Sequence, residues 1–528
     1  MAERSTYSFE MEASTTVLKD ESRHCISVDY VTFPCKIACF LLVSGVGCLT
    51  SFANVFLVSI GLTSSESGFI MGTCFGISAI AGPCWGLLAD KTGHRKFIFV
   101  MVCLGFALTG FSWPWVAREV KMRTALKGTS VLNKNITTEE KINATSWKTV
   151  CKEDSNVNST NASTIDQCEL HVVPFSNPLF YTMFCMVFVT FIFLYPSESF
   201  LNSIISNIIE SNPTTQDFGK QRMFGAIGVG TANLFAGFAA DAFNHRTLSK
   251  YTAIFIYFPP LVLLMIPVSF LLFRRTKWET KSEAPEAVAL RKSGNDEEFD
   301  VAISLAENIP LSKANRLKIL LKILSKLDNL VIMTTVLVSG VTRSITISFL
   351  FLIIRDEMDG SRTSMGLSMM VNSFSSAAMF FFSKKLIKKL GGPIVCVELS
   401  LFAWIIRLVL ISYIKNSWLM CIPQSLQSVG FALYWAAMIQ HIQDISSKEV
   451  YITLFTFLTS LNYGAGGFLG NIIGGAVYND FSGPVLCQFA ALFVAVWLVF
   501  LIAYFHVAGC VKKKLGGEEK TSSGRTDE

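Results

Sequence analysis

The sequence is poor in charge: only 16% of its 528 residues are Asp, Glu, Lys or Arg, and only 6 are His. Soluble domains carry about 25% charged residues, so the deficit excludes an ordinary soluble protein. No Walker motif G-x-x-x-x-G-K-[ST] occurs, which excludes a P-loop ATPase. No catalytic nucleophile, metal-ligand cluster or cofactor motif emerges either, so we expect no enzyme, no bound metal and no cofactor.

The chain is rich in apolar sequence instead. Hydrophobic residues make up 51% of it, including 44 phenylalanines. Runs of about 20 apolar residues, each long enough to cross a bilayer, recur along the chain and predict an all-α, multi-pass membrane protein. Twelve runs lie at 34–60, 66–89, 97–117, 178–202, 219–243, 250–273, 329–354, 363–383, 393–414, 418–441, 450–478 and 485–508. The residues before the first run are polar and mixed in charge, so we expect no cleavable signal peptide.

The runs fall into two sets of six. The first set, 34–273, and the second, 329–508, are separated by a hydrophilic stretch at 274–328. That stretch changes from basic to acidic and back to basic, as expected of a linker. The terminal segments 1–33 and 509–528 are polar tails. The pattern predicts twelve transmembrane helices in two six-helix halves.

Basic residues are unevenly distributed among the short loops. With the amino terminus inside, the loops on that side contain the bases of 86–96 and the cluster KKLIKK at 384–389, whereas the opposite loops 61–65 and 479–484 contain no Lys or Arg. The positive-inside rule therefore predicts that both termini are cytoplasmic.

The long loop 118–177 agrees with this orientation. It contains every acceptable N-x-S/T sequon of the chain: Asn135, Asn143, Asn158 and Asn161. We therefore expect an extracellular or lumenal, glycosylated loop, at the plasma membrane or an endomembrane. Cys151 and Cys168 lie in the same loop, where an oxidising compartment favours a disulfide; the alternative is two free thiols.

Glycine recurs at short spacing in three of the runs. These glycines are Gly68, Gly72 and Gly76; Gly225, Gly228, Gly230 and Gly237; and Gly466, Gly470 and Gly474. Such spacing removes side chains from one helix face and lets two backbones approach closely. Two interpretations stay open: static packing, or helices that slide past one another.

Between the second and third runs lies the charged stretch GLLADKTGHRK, at 86–96. It resembles the signature of the major facilitator superfamily, G-x-L-A-D-[RK]-x-G-x-[RK]-[RK]. The matching residues are Gly86, Leu88, Asp90, Lys91, Gly93, Arg95 and Lys96. The resemblance implies the major facilitator fold and a gating latch, in which Asp90 pairs with Arg95 or faces the positive end of the eleventh helix. Such a latch would stabilise the state closed toward the cytoplasm.

A second stretch of sequence indicates a particular branch of that superfamily. FGKQRMFGAIGVG, at 218–230, is similar to the start of the fifth helix of sugar–proton symporters of the lactose permease type. Residues 405–437 further resemble metazoan members of that permease-like group. The resemblance implies that Arg222 hydrogen-bonds a substrate in a central cavity. The tenth run departs from the pattern, because it has only His441, at its cytoplasmic end, where the permease has a His and Glu proton pair.

Ionisable side chains within an apolar run cost several kcal/mol unless they face water or a partner, so each is a candidate for function. The candidates for a substrate cavity are Glu198 with the neighbouring Asn202, Arg222, Arg343, Glu398 and Arg407. Glu198 is the expected coupling carboxylate, and the alternative is a structural ion pair with Arg222. Arg343 lies near the middle of its run, and we expect it to line the cavity rather than to form a structural ion pair.

Glu398 and Arg407 are nine residues apart, which places them on roughly opposite faces of one helix. They cannot both point into one cavity. Because Glu398 lies close to the inner surface, Arg407 is the preferred candidate of the two.

These features favour a secondary transporter that moves a small polar or anionic solute by alternating access, with proton symport as one form of coupling. The alternative is a cell-surface receptor or sensor on the same fold, with loop 118–177 as its binding element. The expected partners are a small-molecule solute, protons and membrane lipids, and no nucleic acid. We expect a monomer, although nothing in the sequence sets the oligomeric state.

Overall fold

A computed structural model describes residues 33–134, 175, 177–210, 218–243, 248–275, 322–446 and 448–523. Within these residues each of the twelve apolar runs forms a helix, as predicted. The helices are α1 (Phe33–Ser59), α2 (Ser64–Thr92), α3 (Arg95–Lys134), α4 (Pro178–Glu210), α5 (Phe218–Ala242), α6 (Thr252–Arg275), α7 (Leu327–Asp356), α8 (Arg362–Lys389), α9 (Pro393–Tyr413), α10 (417–445), α11 (448–480) and α12 (Gly483–Ser523).

Two of these helices are interrupted by π turns. Ser428–Leu433 forms a π turn within α10, and Ser460–Ala465 forms one within α11. Ten of the described helices have an unbroken α-helical segment long and apolar enough to cross a membrane, whereas the π turns divide α10 and α11 into shorter α-helical segments. The π turn is a rare conformation that occurs mostly as an isolated insertion, frequently at a functional site.

Helices α1–α6 form one half and α7–α12 the other. In the first half α1 packs on α5 and α6, and α4 packs on α2 and α3; in the second, α9 packs on α10 and α12, and α7 on α11 and α12. The halves meet through α2 with α11, α5 with α8, and α1 with α7. This arrangement confirms the predicted all-α membrane fold.

Glycine allows the backbones of α2 and α11 to meet directly. A Cβ added at Gly68 would lie 2.5 Å from the carbonyl oxygen of Asn471, and one added at Gly475 would lie 2.8 Å from that of Ser64. Gly466 and Gly470 instead face α7, in the same half. Close packing within a half and close approach between halves therefore both occur, on different faces of α11.

The halves are joined toward the end that carries residues 60–63 and 357–361. There Asn54 of α1 donates to the carbonyl of Ser348 of α7 at 2.8 Å, and the rings of Phe52 and Phe351 have centroids 4.7 Å apart. Toward the opposite end of α2, a Cβ at Gly86 would have no heavy atom within 4 Å, and Leu87 is 70% exposed. Among the described residues, the halves therefore touch toward the end that carries residues 60–63, and α2 makes no close contact at Gly86 toward its opposite end.

The gating motif lies at this opposite end of α2, which we name the Gly86 end. Gly93 ends α2 in the left-handed conformation with φ 71°, a geometry that favours glycine, and its N–H donates to the carbonyl of Ala89. The Lys96 amino group lies 6.0 Å from the centre of the Phe273 ring, within the same half. The side chain of Asp90 lies outside the described residues, so the latch predicted for Asp90, Lys91 and Arg95 stays a prediction.

Other predicted features also lie outside the described residues. These are the sequons at Asn135, Asn143, Asn158 and Asn161, the pair Cys151 and Cys168, most of the linker 274–328, and the side chain of Arg222. Glycosylation and the disulfide therefore stay predictions.

Candidate functional site

Arg343 lies near the middle of the 30-residue helix α7 and is 6% exposed. Its Nε donates to Oδ1 of Asn462 at 3.3 Å. The guanidinium carbon lies 4.0 Å from the centre of the Tyr463 ring and 5.7 Å from that of Phe431. The cation is thus held between a side-chain amide and two aromatic faces, a favourable arrangement where water is scarce.

Both π turns contribute to this group. Phe431 lies in the π turn of α10, and Asn462 and Tyr463 lie in that of α11. A π turn adds a residue to one helical turn and so changes which side chains point inward. The sequence SLNYGA, at 460–465, thereby places an amide and an aromatic ring against Arg343 in the middle of the fold.

Asn462 is itself held in place by α7. Its Nδ2 donates to the carbonyl of Val336 at 3.1 Å and to Oγ of Ser339 at 2.8 Å. Ser339 Oγ is in turn hydrogen-bonded to Oη of Tyr434 at 2.8 Å. Because Nδ2 is committed to these acceptors, Oδ1 is left to accept from Arg343. Arg343 therefore has a fixed orientation.

The two terminal nitrogens of Arg343 donate to no protein group in the described part of the chain, and no carboxylate lies within ion-pair distance of the guanidinium there. A buried guanidinium without a counter-ion is costly, since charged groups inside proteins are normally paired. The fork of two N–H-bearing nitrogens is the geometry that binds a carboxylate or phosphate through two hydrogen bonds.

Helix α4 of the other half faces this group. The Tyr195 hydroxyl lies within electrostatic range of Arg343, Tyr463 and Glu198. Glu198 and Asn202 are half-buried and four residues apart, on the same side of α4. The candidate site is therefore shared by the two halves.

Two other predicted cavity residues, Arg407 and Glu398, lie elsewhere. Arg407 is 2% exposed and donates from Nη2 to Oε1 of Gln424 at 2.7 Å, within the second half. Oε2 of Glu398 lies 3.6 Å from Nε2 of His506 of α12. The structure thus places Tyr195 of α4 near both Arg343 and Glu198, whereas Arg407 and Glu398 contact α10 and α12.

Sequence reasoning missed Tyr195, Phe431, Asn462 and Tyr463. A usable signal existed for Asn462, a polar residue within an apolar run. Tyr434 is fully buried, while Trp435 next to it is half-buried. The described residues contain no group of three or more His, Cys, Asp or Glu that could hold a metal ion.

Relatives share part of the sequence. The chain is 28% identical over 177 residues to Major facilitator superfamily domain-containing protein 6-like protein A of Xenopus laevis, an alignment that covers 33% of this chain and 29% of that protein. The Homo sapiens protein named Major facilitator superfamily domain-containing protein 6-like is 27% identical over 171 residues, with 32% and 28% covered. The match thus spans less than a third of each relative's length.

Solved structures share the fold over most of the chain. The nucleoside transporter NupG superposes with a TM-score of 0.60 at 14% identity, covering 90% of this chain and 99% of that one. The xylose transporter XylE from E. coli, in a partially occluded inward open conformation, gives 0.52 at 11% identity, covering 90% and 97%. The model of the MFS_1 like family matches residues 33–491, so the chain belongs to that family and is a multi-pass membrane protein.

Proposed function

We propose that this protein is a secondary active transporter that carries a small polar or anionic solute by alternating access, with Arg343 as its anchor. The observation that carries the proposal is that the two terminal nitrogens of the Arg343 guanidinium are free to bind a solute. Its Nε is fixed by Asn462, while its terminal nitrogens have no protein partner in the described residues. A solute carboxylate or phosphate would supply the missing acceptors.

The position of Arg343 supports transport rather than static binding. Its hydrogen-bond and ring partners belong to the second half, and Tyr195 of α4, in the first half, lies within electrostatic range of it. A solute held by groups from both halves is released when they rock apart, as in transporters built from repeated bundles. Glu198 is the proposed coupling carboxylate for a proton, and Asn202 and Arg222 are proposed to complete the first-half wall.

The proposed orientation has both termini in the cytoplasm. The Gly86 end of α2, which carries the basic motif 86–96, is then cytoplasmic. The open space at Gly86 supports a conformation that is open inward. The receptor alternative rests on loop 118–177, most of which lies outside the described residues, and no observation favours it.

Exchange in proteoliposomes tests the proposal. The purified chain is reconstituted and loaded with a solute, and uptake of the labelled form is followed for a panel of organic anions, nucleosides and sugars. We expect exchange of at least one anionic solute. Arg343→Gln, which keeps a polar, hydrogen-bonding side chain but removes the charge and the terminal fork, should abolish that exchange, and Arg343→Lys should retain part of it.

Arg123→Gln is the matched control, because Arg123 is exposed and pairs only with Glu119 one turn away on α3. Exchange should be unchanged in this variant. Unaltered exchange in Arg343→Gln would remove Arg343 from the site. Failure of the folded protein to exchange any member of the panel, with and without a proton gradient, would count against transport itself.

A further inference from the structure

The aromatic surroundings of Arg343 specify more than a negative charge. Tyr463 lies under the guanidinium, and the Trp435 ring meets the Tyr463 ring edge to face, with centroids 5.6 Å apart. Trp435 also stacks with Phe431 at 5.9 Å and meets Phe455 at 6.4 Å. These four rings, all partly exposed, form a continuous group, which we name the aromatic wall.

Trp435 differs from the other interior tryptophans. The indole N–H groups of Trp85, Trp113, Trp404 and Trp497 each donate to a carbonyl, hydroxyl or amide oxygen of the protein. That of the half-buried Trp435 has no acceptor in the described residues. Buried indole N–H groups usually find a partner, so a half-buried one without an acceptor marks a place where a ligand can supply it.

The same two π turns bring the aromatic wall into contact with Arg343. Phe431 and Tyr463 both come from π turns, and both contact Arg343. In a chain with 44 phenylalanines most aromatic rings serve packing. The aromatic wall differs from such packing, because its rings are partly exposed and lie beside the terminal nitrogens of Arg343 and the N–H of Trp435. An aromatic acid would bind all of these groups: its acid the guanidinium, its ring the aromatic faces, and an acceptor on the ring the indole N–H.

Building on the transport function proposed above, we propose that the solute is an aromatic organic anion: a carboxylate, or a similar planar acid, attached to a flat conjugated ring. The acid binds the terminal nitrogens of Arg343, and the ring lies against Tyr463 and Trp435. The N–H of Trp435 is available to an acceptor on the ring. An aliphatic anion would use the arginine and leave the aromatic wall unoccupied.

Matched probes separate the two contributions. Benzoate, phenylacetate and indole-3-acetate are compared with their neutral amides and with cyclohexanecarboxylate and cyclohexylacetate. Binding to the purified full chain is measured by titration and by the shift in melting temperature. We expect the aromatic acids to bind roughly tenfold more tightly than their saturated counterparts, the gain typical of an aromatic contact, and the amides to bind much more weakly still.

Substitutions at Trp435 test whether the ring of the solute contacts the aromatic wall. Trp435→Leu should weaken the aromatic acids by roughly tenfold and leave the saturated acids unchanged, while Trp435→Phe should keep most of the affinity. Trp418→Leu, which changes a 53% exposed tryptophan at the start of α10, is the control and should have no effect. Retained melting behaviour shows that each variant is folded.

Equal affinity for aromatic and saturated acids, no binding of any aromatic acid, or an unchanged affinity in Trp435→Leu would each overturn the inference. Exchange of an aliphatic anion that Arg343→Gln abolishes would leave the transport proposal standing while this one fails. Loss of both would show that Arg343 is not a solute site.

Discussion

Asp241 and Thr363, which belong to different halves of the protein, are joined by two hydrogen bonds: the Asp241 carboxylate accepts from the backbone N–H of Thr363 at 2.8 Å and from its hydroxyl at 2.7 Å. Arg362 adds its own backbone N–H at 3.2 Å and a guanidinium nitrogen at 3.4 Å. Since these residues begin α8, the carboxylate also faces the positive end of that helix. This contact fastens α5 to α8 at the joined end.

Asp241→Asn should loosen the joined end. The substitution removes the charge from the hydrogen bonds and should cost the joined state about 1–3 kcal/mol. With a reporter cysteine at Ser65, on α2 at the same end, alkylation by a membrane-impermeant maleimide should become several-fold faster. Asp480→Asn, an exposed carboxylate at that end, is the control. Equal labelling rates in Asp241→Asn and the parent would show that the contact does not hold the halves together.

Gly68→Ala and Gly86→Ala should have opposite consequences, although both residues lie on α2. A Cβ at Gly68 would lie 2.5 Å from the Asn471 carbonyl oxygen and 2.9 Å from Cα of Gly475, so backbone would have to move. A Cβ at Gly86 meets nothing within 4 Å. We expect a lower melting temperature for Gly68→Ala. Gly86→Ala should be neutral or stabilised by up to about 1 kcal/mol through helix propensity, and a loss of stability there as large as at Gly68 would contradict this account.

Glu66→Gln should destabilise the junction between α2 and the segment before α4. Glu66 is almost fully buried, and its two oxygens accept from the backbone N–H groups of Thr63 and Phe175, both at 2.9 Å. Glutamine keeps one acceptor oxygen but places its NH2 group, a donor, against the other backbone N–H. We therefore expect the free energy of unfolding to fall by about 1–3 kcal/mol, measured by thermal unfolding. Glu119→Gln, at an exposed pair with Arg123, should change stability by less than about 0.5 kcal/mol. Similar losses in the two variants would show that burial of Glu66 is not the cause.

Asn462→Asp tests how Arg343 is held. The new carboxylate would pair with the guanidinium within the protein and would lose the donors to Val336 and Ser339. A fixed internal anion competes with an anionic solute, so we expect at least about a tenfold loss of solute affinity. Asn479→Asp, at an exposed position near the joined end, should leave affinity unchanged. Undiminished binding in Asn462→Asp would mean that the solute does not use Arg343.

The sequence was sufficient for most of the fold because the bilayer imposes a simple rule. Each spanning segment must satisfy its backbone internally over about 20 residues, so helices can be counted from apolar runs. The π turns in α10 and α11 could not be found this way, since hydropathy is the same for an α and a π turn. Glycine spacing predicted close approach correctly, but whether Gly466 and Gly475 face α7 or α2 depends on the rotation of α11.

The candidate site was only partly predictable. Arg343 was found because a cation in the middle of an apolar run is costly wherever the helix lies. Arg407 is also a cation within an apolar run. It nevertheless contacts Gln424 inside the second half, because the face of α9 that carries Arg407 packs against α10. Tyr463 resembles many other aromatic residues of the chain, and only the packing of α11 on α7, which brings its ring to Arg343, distinguishes it.

By itself, the sequence determined that the chain crosses a membrane many times, that it divides into two sets of six helices, and that a few ionisable residues lie at membrane depth. These three properties follow from the free energy of transferring each segment from water to the bilayer, which depends on the composition of the segment and not on where it packs. Only the tertiary structure decided which of those residues share a site, because hydrogen bonds and ring contacts act over a few ångströms. Residues more than a hundred positions apart, such as Arg343 and Asn462, come within that range only after the helices have packed.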